Sequence, residues 1–151
     1  MKFNFSFKNR PFAFYLKFAV GVLATFFSVL FFLLERAIVR GHISFADNSP
    51  FTFIFTLVGG LTMILAAFSE ISFLPILSSI SLGVGVGQHL VMCCYPYADL
   101  STGVPFFVDD GTFLHTVATL FTVFLVLFAV VLVASLVCNF MDKKTEEKTI
   151  A

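Results

Sequence analysis

A chain of 151 residues that is 59% hydrophobic and 12% charged, with a mean hydropathy of +1.01, has too little polar surface for a water-soluble domain of its size. A formal net charge of zero and a pI near 6.8 argue against nucleic acid as a partner, which calls for a basic face. The charges gather at the two ends and in two loops, which is where a membrane protein keeps them.

The chain opens with "MKFNFSFKNRPF", in which Phe alternates with polar residues. This segment is expected either to lie on the inner headgroup surface, anchored by Phe3, Phe5 and Phe7, or to form a disordered tail. The first predicted span covers residues 11–34. Its apolar run is longer than a signal-peptide core, and "ERAIVRGH" follows it in place of a small-residue cleavage site. It therefore reads as an uncleaved anchor. Glu35 and Arg36 end the span, with Arg40 one turn on. That pattern suits an interfacial ion pair, or a membrane carboxylate that binds protons or cations. In small multidrug exporters the essential Glu lies inside the first helix, whereas Glu35 stands at its edge.

A first loop, residues 35–49, carries Asp47 within "GHISFADNSP". Ser49-Pro50 then reads as an N-cap followed by Pro at the first helical position. The second predicted span covers residues 50–68 and the third residues 71–95, joined by a short turn at Ser69-Glu70. Pro75 falls in the first turn of the third span, where a missing N–H costs little.

The third span holds the most unusual stretch, "SISLGVGVGQHLVMCC". Ser79, Gly83 and Gly87 recur every four residues, and so do Ser81, Gly85, His89 and Cys93. Each set therefore shares one helix face. The first set is a small-residue stripe of the kind that lets another backbone approach closely in lipid. It is expected to pack either within the bundle or on a partner subunit. Glycine-rich ion filters line a re-entrant loop after a pore helix. Here the glycines continue an apolar helical segment, so that reading fails. Gln88 and His89 are polar at membrane depth, about two turns from the expected end of the span. Such groups need partners and often mark function, and the expected reading here is a hydrogen-bonded structural pair of residues.

The second loop, residues 96–111, is apolar for a loop. Tyr97 suits an aromatic belt, and Asp99, Asp109 and Asp110 could bind a sugar or calcium if the loop is a recognition surface. The last predicted span covers residues 112–140, and the charged "MDKKTEEKTIA" after it is expected to fray.

Lys2, Lys8, Arg10 and Lys17 lie at or near the start, and Lys143, Lys144 and Lys148 lie at the end. Only Arg36 and Arg40 fall elsewhere. The positive-inside rule therefore places both termini in the cytoplasm of a cell-membrane protein, with four spans in an antiparallel all-α bundle. Cys93 and Cys94 are adjacent, and Cys138 is expected roughly 30 Å away at the other face, too far for a bridge. The sequence holds no nucleophile elbow, phosphate loop or paired-cysteine redox motif. Its three histidines, His42, His89 and His115, match no metal-ligand spacing. No catalytic residue, metal or cofactor is expected.

The stretches "ISFADNSPFTFIFTLVGG" and "FLPILSSISLGVGVGQHL" resemble a set of small four-span membrane proteins of Gram-positive bacteria. That set carries a similar outward "DNSP" element before its second span and a Leu-Pro at the start of its third. The resemblance covers residues 43–90 and supplies no functional residues. It implies an accessory role beside a transporter, with sugar uptake as the setting. The expected function is a non-enzymatic interaction subunit that associates in the bilayer with itself or a larger membrane complex, through the Ser79-Gly83-Gly87 face. The alternative is a small homo-oligomeric proton-, ion- or solute-coupled transporter that uses Glu35, Gln88 and His89.

Overall fold

The computed structural model describes residues 11–39, 49–69, 71–103 and 114–150, with backbone only at 38–39, 49 and 142–150. Asp47, Asp109, Asp110, His42 and the first ten residues lie outside the described residues. The described chain forms four long helices: α1 Phe12–Leu34, α2 Ser49–Phe68, α3 Leu74–Thr102 and α4 Leu114–Ile150. Each is long and apolar enough to cross a membrane. One π-helical turn, Glu35–Val39, continues α1.

The helix starts follow from local chemistry. Pro11 precedes α1 in an extended conformation, and Pro50 and Pro75 sit in the first turns of α2 and α3, where their missing N–H has no intrahelical partner to lose. The α3 helix ends at Gly103, whose left-handed φ of 68° lets its N–H bond the Asp99 carbonyl at 2.9 Å.

Several boundaries differ from the sequence expectation, two of them by well over a turn. The α3 helix runs on through Pro96 to Thr102, so Tyr97 and Asp99 belong to the helix and not to a loop. A proline inside a membrane helix is tolerated because neighbouring helices accommodate the freed backbone group. The α4 helix continues through the charged tail to Ile150 instead of fraying. That tail is rich in Lys and Glu, both good helix formers.

Between α1 and α2 the contacts run in opposite numerical order. Phe14 meets Phe68, Gly21 meets Ile64, Ser28 meets Thr56 and Phe32 meets Phe53 along α1 and α2. The α3 helix packs between α2 and α4, and α1 closes the bundle against α4 more loosely.

Two apolar clusters fill the interior. One is built on Phe31, Met92, Phe121, Phe124 and Phe128, and the other on Val20, Ala24, Met63, Leu82 and Val131. Cys93 belongs to the first cluster and Cys138 to the second. All three cysteines are thiols. The outside carries many large apolar side chains, among them Phe26, Val84, Val130 and Phe140. That is the surface a lipid solvent selects.

Candidate functional site

Lipid supplies no hydrophobic drive between helices, so close packing and interhelical hydrogen bonds must hold them. Both are present. A Cβ placed on Gly21 would lie 2.9 Å from the Gly60 carbonyl oxygen, and one on Gly60 would lie 2.8 Å from the Thr25 nitrogen. These two glycines let the α1 and α2 backbones touch. Gly59 and Gly85 do the same for α2 and α3. A Cβ at Gly59 would sit 2.7 Å from Leu82, and one at Gly85 would sit 2.6 Å from Thr56.

Hydroxyl groups bridge the same interfaces. Ser28 Oγ lies 2.7 Å from Thr56 Oγ1, which in turn donates to the Thr52 carbonyl. Ser78 donates to the Gly59 carbonyl at 2.7 Å, and Ser81 to that of Phe55 at 2.8 Å. Between α3 and α4, Ser79 Oγ lies 2.6 Å from Ser135 Oγ and accepts from Asn139 Nδ2 at 2.9 Å.

The two glycine-containing sets on α3 therefore do different work. Ser81, Gly85, His89 and Cys93 are all buried. The Ser79, Gly83, Gly87 set is split. Ser79 is committed to α4, Gly83 is half-buried with only Leu132 4.0 Å from its would-be Cβ, and Gly87 faces open space with nothing within 4 Å. Among the described residues, Gly83 and Gly87 thus make none of the bundle's close backbone contacts.

His89 is fully buried. Its ring stands edge-on to Phe31 at 4.8 Å and to Phe128 at 5.6 Å. Nε2 lies 2.8 Å from the Phe121 carbonyl oxygen. A carbonyl only accepts, so Nε2 carries the proton and Nδ1 is the bare acceptor. Nδ1 is buried with no hydrogen-bond partner among the described residues.

Gln88, the neighbouring residue, sits at the midpoint of the 29-residue α3. The α3 helix reaches further than the sequence indicates, so this polar pair lies at the centre of the span and not near its end. Gln88 is half-buried and makes no hydrogen bond to any described residue. Glu35 is 4% exposed in the π turn, and Asp99 is 1% exposed near the end of α3. The sequence suggests an exposed interface for Glu35, but the residue is inside because the chain continues to coil past Leu34. Tyr97 hydroxyl lies 2.7 Å from Thr122 Oγ1, tying α3 to α4. The residue stands on a helix, exposed, where the sequence suggests an outer loop. His115 is exposed on α4 and lines a groove of about 610 Å³ with Leu30 and Leu34 of α1. Its setting differs from the buried ring of His89, and among the described residues no three of His, Cys, Asp and Glu come together as a metal site.

The contact glycines of α1 and α2 and the Ser135–Asn139 pair on α4 are absent from the sequence expectation. The adjacent Gly59-Gly60 in an apolar span is the signal that could have found the first of these. No family model, curated protein or solved structure matches this chain.

Proposed function

We propose that this chain is an integral membrane interaction subunit without enzymatic activity, which works by lateral association in the bilayer as part of a larger membrane complex. In this reading it is an antiparallel four-span bundle of the cell membrane with both termini in the cytoplasm. The observation that carries the reading is the outward face of α3. Gly87 and Gly83 cost helix stability relative to Ala, yet Gly87 makes no close contact and Gly83 only a distant one. Beside them the Gln88 amide has no partner among the described residues, in a solvent that offers none. A partner helix would account for both features. The resemblance to small Gram-positive four-span proteins adds a sugar-uptake transporter as the class of complex.

The test is recovery of the chain from native membranes with its partner. Gly83→Leu and Gly87→Leu remove the partner, and Glu35→Gln leaves it bound. Retention of the partner by the glycine variants would refute the reading.

A second reading has its own observation. Glu35, His89 and Asp99 are three ionisable residues buried inside apolar helices, a position usually associated with ion or proton pathways. If the chain is a proton-coupled transporter, Glu35→Gln or His89→Ala abolishes flux in proteoliposomes while the bundle, although less stable in His89→Ala, still assembles. Unchanged proton flux in both variants removes this reading.

A further inference from the structure

Lateral association through α3 leaves the identity of the partner open, and the geometry of that helix bears on it. Along α3, Leu77, Ile80, Val84, Gly87, Val91 and Cys94 alternate spacings of three and four residues, and all six are exposed. This is the 3.5-residue repeat of a left-handed helix pair, and the exposed Val123, Val126, Val130, Val133, Val137 and Phe140 of α4 share it, so what sets α3 apart is its glycine. Gly87 lies at the middle of the line and forms a notch in it. The residues immediately flanking the line are Gly83 on the α4 side, where Leu132 is the nearest atom, and Gln88 on the α2 side, the face shared with Ser81 and Gly85.

Two copies of one chain insert with the same orientation, so an α3–α3 contact between them is parallel and two-fold. In a parallel pair, a residue that precedes the seam on one helix meets the residue five positions later on the other. Gly83 and Gln88 have that separation. Each Gln88 amide therefore crosses over the Gly83 of the other copy, where no side chain screens the backbone. The protein already uses this device between its own helices. Ser78 bonds the carbonyl of Gly59, Ser81 that of Phe55, and His89 that of Phe121.

We propose, resting on the association reading, that the partner on this face is a second copy of the chain, joined α3 to α3, with each Gln88 amide donating to a backbone carbonyl beside the Gly83 of the second copy. The match is self-complementary because the donor and the bare backbone lie on opposite flanks of one helix. The two-fold axis then forms both bonds at once.

The native thiols provide the test. Cys94 lies on the seam and is exposed, while Cys93 and Cys138 are buried. Full-length protein in phosphatidylcholine vesicles, treated with copper phenanthroline, is expected to give a disulfide-linked dimer that Cys94→Ser eliminates. Gln88→Leu weakens the association about tenfold, the effect of losing hydrogen bonds of this kind in lipid. Gly87→Leu abolishes the linked dimer without changing helix content or melting, because the new side chain enters open space. A folded chain that gives no Cys94 linkage, or a linkage indifferent to both Gln88→Leu and Gly87→Leu, overturns the proposal. If linkage is absent but a different protein co-purifies with the chain, the second copy is refuted and the association reading stands. If neither is found, both fail.

Discussion

His89 and Gln88 are neighbours in sequence with opposite fates. The His89 ring is locked among Phe31, Phe121 and Phe128 and bonded to a carbonyl of α4. Removing it leaves a cavity between packed aromatics. His89→Ala should therefore destabilise the bundle by about 2–4 kcal/mol, measured by denaturant unfolding in detergent micelles. The half-buried Gln88 has no such contacts, so Gln88→Leu should change the same measurement by less than about 0.5 kcal/mol. Equal effects would show that the two side chains are not placed as described. Ser79 is a third case. It accepts from Asn139 and is bonded to Ser135, so Ser79→Ala should cost about 1 kcal/mol, in line with single hydrogen bonds between membrane helices.

Among the elements, glycine placement separates internal from external faces. A Cβ on Gly60 would meet backbone atoms of Thr25 and Gly21 at 3.0 Å or less, and backbone cannot swing aside. Gly60→Leu should force α1 and α2 apart and lower unfolding stability by about 1–3 kcal/mol or more, whereas Gly87→Ala should leave it unchanged or slightly raised. The four spans are legible in the sequence because long apolar runs broken by charges and prolines have few alternative readings in lipid. The extension of α3 past Pro96 is not, since proline and a Tyr-Pro-Tyr sequence ordinarily signal a turn in water. Four-residue spacing correctly groups Ser81, Gly85, His89 and Cys93 on one face. It does not say which of the two small-residue sets faces inward, because both faces of a membrane helix are apolar. The burial of Glu35 is hidden for a related reason. A charge at the end of a span reads as interfacial until the next turn is known to continue as helix.

For the whole molecule, the interior and the lipid face are both apolar, so burial alone does not fix the bundle. Glycine contacts and hydroxyl bridges onto backbone carbonyls supply the register between helices. The same means, presented outward at Gly83, Gly87 and Gln88, leave α3 prepared for another helix. Lateral association in the bilayer is thus the property on which the proposed function stands or falls. The most direct measurement is the composition of particles extracted from native membranes into nanodiscs without prior detergent, read by mass photometry and protein mass spectrometry. The expected result is particles that hold more than one protein chain in fixed ratio, with that ratio lost in Gly87→Leu. Particles holding a single copy of this chain and no other protein would contradict it.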